Sequence, residues 1–228
     1  MNSTENNEAI SGIHPKIYSS LWVDDVSATQ IALDKPLPAD VSREAVLAFV
    51  QDGYTILRGA VPAALIDEYL DQLEQEKASN GDMRVSFGVG EVGYLRDRPA
   101  NADNTRVVDS YMLVPAAIRL IFTNKIVGFL QTVFDCTPMA FQGLNFEVGS
   151  EQAVHQDAAY VVVDRPGHFV AAWIALEDIS EGSGELVYYP KSHRFPPYLY
   201  TDQSFHWNPI RDGQELHSQH LNWLHEEA

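Results

Sequence analysis

The strongest indication of fold class in this chain of 228 residues is the segment FQGLNFEVGSEQAVHQD, residues 141–157. An extended apolar stretch leads to a Gly149-Ser150 turn, and the triplet His155-Gln156-Asp157 follows soon after. If the triplet continues as a strand, successive side chains point to opposite faces of the sheet. His155 and Asp157 would then share one face, while Gln156 would turn away.

An imidazole and a carboxylate on one rigid face are two thirds of the facial triad that holds non-haem Fe(II) and leaves positions open for oxygen and substrate. The third ligand has to come from another part of the chain. A His-x-Asp triplet also arises by chance, and then it usually marks a loop or a structural hydrogen bond. The triplet alone leaves both interpretations open, and the surrounding sequence has to choose between them.

Strand patterns continue on both sides of the triplet. Short apolar runs are separated by turn residues such as Gly182-Ser183-Gly184, which is typical of an antiparallel sandwich or jelly roll. The predicted strands are 139–148, 153–157, 160–163, 168–176 and 185–189.

Helical patterns dominate the chain before residue 137. Asp40 or Ser42 can cap a helix that Gly53 ends, a short strand Tyr54–Leu57 follows, and Pro62 opens a second helix. Residues 116–134 predict two further helices that meet near Asn124, which can cap the second.

The predicted fold is therefore mostly β with N-terminal helices (α+β), a cupin-like jelly roll or double-stranded β-helix. Residues 1–39 form an N-terminal arm and residues 40–228 a single domain. Within that domain we expect a helical part at 40–137, a jelly-roll part at 138–194, and a loop with a terminal helix at 195–228.

The terminal helix carries His217, His220 and His225. No carboxylate with ligand spacing accompanies them, so we expect surface histidines.

Composition excludes several classes of function. The 15 Lys and Arg against 32 Asp and Glu give a formal charge of −17. Nucleic acids and anionic membranes are therefore not expected as partners, because binding phosphates requires clustered basic residues. The single cysteine, Cys136, excludes an internal disulfide, and we expect a buried structural thiol. Residues 1–10 lack the pattern of a signal peptide, which predicts a cytoplasmic location.

The glycines of Gly88-Val89-Gly90-Glu91-Val92-Gly93 match the dinucleotide-binding fingerprint letter by letter. That fingerprint must open a helix inside a strand-helix-strand unit. Here the chain continues through Tyr94 into Pro99, so nucleotide binding is not expected.

Taken together, the segment 141–157, AWIALED at 172–178 and GSGELVYYPKSHR at 182–194 resemble the phytanoyl-CoA dioxygenase family of Fe(II)- and 2-oxoglutarate-dependent oxygenases. The resemblance is specific over residues 139–194. It implies that His155 and Asp157 are the first two iron ligands and catalytic residues. It also places Trp173 in the 2-oxoglutarate pocket, with Asn145 near polar positions that hold this co-substrate.

The family's third iron ligand is a later histidine, followed by an arginine that binds the co-substrate. Neither is visible after Arg194, so we expect a chain that ends before them and a jelly roll that is incomplete at its C-terminus. The histidine of the family's Pro-Gly-Ser-His segment is not an iron ligand, so His193, which occupies that place, is only a substitute candidate for the third ligand.

The resemblance implies a dioxygenase that uses Fe(II), 2-oxoglutarate and O2 to hydroxylate a small-molecule substrate, with succinate and CO2 as co-products. Two alternatives remain. One is a catalytically incomplete jelly-roll binding protein, and the other is a zinc-type metallohydrolase that uses His155, Asp157 and His193. The substrate and the oligomeric state are not predicted.

Overall fold

The structure, a computed structural model, describes residues 21–79, 82–87, 92–97, 105–146, 153–165, 167–201 and 203–227. In these ranges the helices are α1 Ala28–Asp34, α2 Arg43–Asp52, α3 Ala63–Ala78, α4 Pro115–Ile121, α5 Asn124–Phe134 and α6 Pro209–Glu227. The strands are β1 Arg84–Ser86, β2 Val92–Tyr94, β3 Arg106–Val108 and β4 Leu144–Phe146. Single 3₁₀ turns lie at Trp22–Asp24, Leu95–Asp97, Ser110–Met112, Asp157–Ala159 and Ser192–Arg194.

Helix α2 begins and ends where its sequence predicts. The Ser42 hydroxyl accepts a hydrogen bond from the Ala45 amide at 3.1 Å, which satisfies one of the free donors of the first turn. Gly53 follows the last turn with φ +82°, and its amide donates to the Phe49 carbonyl at 2.9 Å. Few residues other than glycine adopt that left-handed conformation without strain. The predicted helix is confirmed.

The strands form one antiparallel sheet with the order β2-β1-β3-β4. Val85 lies opposite Val107, and Val107 lies opposite Asn145. Val85 and Val107 are buried, so the middle strands place their apolar residues on one face. Helices α3 and α4 pack against each other, and their buried residues share a core with this face.

Two apolar clusters form most of the core. The N-terminal cluster joins α1, α2 and α5, and the sheet cluster joins α3, α4 and the sheet. The N-terminal cluster contains Leu21, Val23, Ala28, Ala32, Val41, Val46, Val50, Phe129 and Val133. The sheet cluster contains Tyr69, Leu73, Met83, Val85, Val107, Val114, Ala116, Ala117 and Leu120.

The predicted helix pair at 116–134 is present as α4 and α5, but Thr123 precedes α5 and Asn124 is its first residue. Asn124 therefore does not cap the helix. Among the residues described, no single helix has both the length and the hydrophobicity needed to cross a bilayer. The α4–α5 pair meets that requirement only when both helices are counted together across a bend of 52°.

The prediction of a mostly β domain is wrong for the described residues. The predicted strands 54–57, 153–157, 160–163, 168–176 and 185–189 form no strand. Of the predicted strand 139–148, the described part forms only β4. Val170 packs against the N-terminal cluster, and Ile174 and Leu176 pack against the sheet cluster. These residues bury apolar surface through side chains without the main-chain pairing that defines a strand.

The structure also tests the predictions for Cys136, for the histidines of α6 and for the glycine motif. Cys136 is exposed and not buried, because it lies in the loop after α5. His217 and His220 are buried and not on the surface. Residues 88–91 of the glycine motif lie outside the described residues, and the part that is described, Val92–Tyr94, is a strand and not the start of a helix.

Candidate functional site

The predicted ligand pair is brought together by the structure. His155 Nε2 lies 3.1 Å from Asp157 Oδ1. Gln156 between them has an extended backbone, with φ −107° and ψ 128°, and Asp157 begins a 3₁₀ turn. Alternation across this one extended residue is enough to place both neighbours on the same side. The strand that the sequence predicts is therefore not required for the pair to form.

The second nitrogen of His155 is also engaged. Nδ1 lies 2.8 Å from the Ala153 carbonyl oxygen, which can only accept, so Nδ1 carries a proton and donates it. The hydrogen bond to Asp157 is the main cause that raises the pKa of His155, and partial burial acts against it. The Asp157 carboxylate therefore favours the protonated form of the ring, in which both nitrogens carry a proton.

The pair fits two positions of a metal site. A metal-bound histidine usually donates its other ring N–H to a backbone carbonyl or a carboxylate, as His155 does to Ala153. The 3.1 Å between Nε2 and Oδ1 is short enough for both atoms to bind one metal ion. Neutral imidazole with carboxylate is also the donor set of non-haem iron sites.

A third protein ligand does not join the pair in the part of the chain that the structure describes. No group of three His, Cys, Asp or Glu side chains that could hold a metal is found among those residues. His193, the substitute candidate, lies instead at the end of α2, where its Nε2 is 3.3 Å from the Val50 carbonyl oxygen. His193 therefore does not complete a three-ligand site in this structure.

The two residues expected in the co-substrate pocket, Asn145 and Trp173, lie in different parts of the structure. Asn145 lies on β4, and its side-chain amide donates to the Tyr69 hydroxyl at 3.1 Å. That hydroxyl is also 3.0 Å from the Ser110 hydroxyl. Trp173 lies in a segment without regular secondary structure and is 48% exposed. A role in binding 2-oxoglutarate stays a prediction for both.

Two surface cavities lie away from the pair. One, of about 630 Å³, borders α2 and includes Ser42, Ile56 and Lys125. The other, of about 450 Å³, borders β1 and β2 and includes Arg84 and Tyr94. Neither is lined by His155 or Asp157.

A group of rings beside the pair, most of them buried, was not predicted from the sequence. This aromatic–histidine cluster consists of Tyr160, Tyr198, Tyr200, Trp207, His217 and His220. The Tyr160 ring is in edge contact with His155, with ring centroids 5.5 Å apart. The spacing of His217 and His220, three residues apart on a helix, was the signal available in the sequence. It was not sufficient, because the tyrosines that contact them are distant along the chain.

A comparison with protein-family models places these residues in a known family. The model for phytanoyl-CoA dioxygenase (PhyH) matches residues 49–224, well over half of the chain. The chain belongs to the phytanoyl-CoA dioxygenase family. The match includes the His155–Asp157 pair, Asn145, Trp173, His193 and the aromatic–histidine cluster.

The match to the phytanoyl-CoA dioxygenase family extends the resemblance seen in residues 139–194 to α3, the sheet and most of α6. Searches of curated proteins and of solved structures found no match. The family therefore indicates an oxygenase of the Fe(II)- and 2-oxoglutarate-dependent kind, without a substrate.

Proposed function

We propose that this protein is a non-haem Fe(II)- and 2-oxoglutarate-dependent dioxygenase that hydroxylates a small molecule, and that His155 and Asp157 provide two of its iron ligands. The observation that carries the proposal is the 3.1 Å approach of His155 Nε2 to Asp157 Oδ1 within the region matched by the family. Two polar residues adjacent in space supply the donor types that Fe(II) sites of this kind use.

Each residue of the pair has a distinct task in this proposal. His155 offers Nε2 as a ligand while Ala153 holds the proton on Nδ1, so the ring has one defined orientation. Asp157 supplies a carboxylate, which occupies the position that related halogenases leave open for chloride, and so favours hydroxylation. Bound Fe(II), together with 2-oxoglutarate and O2, supplies the oxidising chemistry, and the protein supplies ligands and orientation.

The remaining assignments follow from the family resemblance. We propose that Trp173 lines the 2-oxoglutarate site and that Asn145 contributes a polar contact to it. The exposed face of Trp173 and the amide of Asn145 are chemically suited to these roles. The acidic composition favours a small-molecule substrate over a nucleic acid or a membrane.

The test is Fe(II)-dependent conversion of 2-oxoglutarate to succinate by the purified protein under defined oxygen. We expect Asp157→Ala to lose this activity at least about 100-fold, because a ligand is removed. Asp164→Ala is the matched control, since Asp164 is an exposed carboxylate a few residues further along the chain and outside the pair, and it should retain the activity. Equal succinate release from wild type and Asp157→Ala would contradict the assignment.

One observation favours a second candidate, a binding protein of the same family without catalysis. The described residues supply two donors and no third. Such a protein would bind a small molecule with the same affinity whether or not Fe(II) is present. The zinc-type hydrolase has less support, because the contact of His193 with the Val50 carbonyl leaves it away from the pair. Zinc retained through purification and lost in His193→Ala would support the hydrolase.

A further inference from the structure

The turn Asp157–Ala159 has two sides that face different surroundings. On one side are His155 and the Asp157 carboxylate, both partly exposed to solvent. On the other side are Gln156, the buried Ala159 and the Tyr160 hydroxyl, which contact residues 200–220. The turn therefore joins the candidate metal ligands to the aromatic–histidine cluster.

Three hydrogen bonds connect the turn to that cluster. His220 Nε2 lies 3.4 Å from the Gln156 side-chain oxygen, and the Tyr160 hydroxyl lies 3.1 Å from His217 Nε2. Between them, the Trp207 amide donates to the Ala159 carbonyl at 2.9 Å. Gln156 and Tyr160 bracket Asp157 along the chain, so the ligand lies between two fixed positions.

The Tyr200 hydroxyl joins the two histidines. It lies 3.1 Å from His217 Nδ1 and 2.7 Å from His220 Nδ1. Because the Gln156 oxygen accepts from His220 Nε2, His220 Nδ1 accepts from Tyr200 when the ring is neutral. Tyr200 then accepts from His217 Nδ1, and His217 Nε2 accepts from Tyr160. One arrangement of protons thus satisfies every bond from Tyr160 to Gln156.

Burial keeps this chain of bonds in its neutral form. His220 is 2% exposed. Desolvation, together with the neighbouring His217, lowers the pKa of His220 to about 4. Desolvation also lowers the pKa of His217. A neutral, fully bonded network gives each ring one orientation, and such networks make the groups attached to them rigid.

We propose that His217 and His220 are positioning residues that hold the His155–Asp157 pair in metal-binding geometry through Tyr160 and Gln156. The role of the pair rests on the proposed function. In this arrangement α6, which contacts the turn from its buried side, sets the orientation of ligands on the exposed side. Neither histidine is a metal ligand in this proposal.

The experiment measures Fe(II) affinity of the whole protein under anaerobic conditions for Gln156→Ala, His220→Ala and the double variant. Loss of a group that orients a metal ligand typically weakens binding 10- to 100-fold. We expect each single variant to show a loss in that range, and the double variant to be no weaker than the weaker single one. His220→Gln, which keeps a side-chain N–H directed at Gln156, should recover most of the affinity.

The matched control is Tyr198→Phe. It removes the hydroxyl that donates to the Leu216 carbonyl at 3.4 Å and keeps the ring that stacks on His220. This hydrogen bond attaches Tyr198 to α6, but it is not part of the network that reaches the turn Asp157–Ala159. We expect Tyr198→Phe to bind Fe(II) like the wild type, even if its melting temperature falls. A loss equal to that of His220→Ala would show a structural effect only and would overturn the proposal.

A second measurement does not depend on the metal. Hydrogen exchange of the Tyr160 and Val161 amides, which donate to the Asp157 carbonyl at 2.9 Å, reports on the turn in the metal-free protein. We expect faster exchange in Gln156→Ala and His220→Ala but not in Tyr198→Phe. Unchanged exchange in Gln156→Ala and His220→Ala, together with unchanged Fe(II) affinity, would overturn the proposal.

If wild type and His155→Ala show the same Fe(II) affinity, the proposed function fails, and the role assigned to His217 and His220 in metal binding fails with it.

Discussion

Apolar residues are buried to different degrees in two regions of this protein, residues 21–134 and residues 153–201. In the first region α5 buries Ile126, Phe129 and Val133 at helical spacing. In the second region Leu186 and Val187 lie in a run that resembles a strand, but both are exposed and form no strand. A helix closes its hydrogen bonds within its own residues, whereas a strand depends on a partner elsewhere in the chain.

The described residues of the second region contain no strand. Its segments are fixed at points by contacts with helices. Residues 191–194 bind to the end of α2, and residues 156–160 bind to the cluster around α6. The candidate ligands lie next to one of these points. Geometry of the pair therefore depends on a few hydrogen bonds and not on a continuous sheet.

The largest expected effect contrasts one core residue of the first region with one apolar residue of the second. Phe129 is buried and makes an edge contact with Phe49, with ring centroids 5.4 Å apart. We expect Phe129→Ala to lower the free energy of unfolding by about 3–5 kcal/mol, because it leaves a cavity in the N-terminal cluster. Val187 is 76% exposed, and Val187→Ser should change that free energy by less than about 0.5 kcal/mol.

Chemical denaturation of both variants measures this contrast. A large loss from Val187→Ser would mean that residues 185–189 bury apolar surface in solution, and the distinction between the two regions would then be wrong.

The next effect is a dependence of stability on pH that comes from α6. The folded pKa of His220 is about 4, below its ordinary value of 6.5, so the unfolded chain binds the proton more readily between these values. The contribution of neutral His220 is complete above about pH 6.5 and is lost as the pH falls toward 4. The free energy of unfolding should fall by up to about 3 kcal/mol over that interval.

Denaturation at several pH values, compared with His220→Gln, isolates this contribution, since the variant lacks the titrating ring. His225→Gln is the control, because His225 is on the same helix and exposed. A wild-type pH profile that His220→Gln leaves unaltered would exclude the buried network as its source.

The smallest effect lies at Gly53, where the two regions meet. A β-carbon there would lie 2.3 Å from His193 Nδ1, and the backbone has φ +82°. We expect Gly53→Ala to cost about 1–2 kcal/mol for the left-handed backbone, with an additional cost for moving His193. In a His193→Ala background only the backbone part should remain. A double-mutant cycle with no coupling would show that His193 does not contact Gly53 in solution.

The sequence predicted helices α2 to α5 of the first region because their signals are local, but it predicted a strand at 54–57 that does not form and missed β1, β2 and β3. Ser42 and Gly53 mark both ends of α2, and an apolar stripe marks α5. The strands of the second region were mispredicted because alternation shows which face could be buried without showing a partner for the backbone. Val162, Leu186 and Tyr188 have strand-like patterning, yet their segments form no strand.

One part of the candidate site could be predicted from the sequence, and the other part could not. The closeness of His155 and Asp157 follows from one extended residue between them, so the triplet alone could predict it. The contacts of Gln156 with His220 and of Tyr160 with His217 join residues 64 and 57 positions apart. Pattern in one sequence does not reveal such pairs, and for the same reason His193 was considered for a metal site when it binds the end of α2.

The hydrogen bonds at the end of α2 also limit the order in which the chain can fold during synthesis. The Val50 carbonyl is bonded by Arg194, 144 residues later, at 3.0 Å, and the Asp52 carbonyl accepts from the Lys191 amide at 2.8 Å. A ribosome adds about 5–20 residues per second, so these partners are synthesised on the order of 10 s after the helix. During that interval the last turn of α2 has only water for these carbonyls. The hydrogen bonds at this end of α2 can therefore be completed only after residues 191–194 have been synthesised.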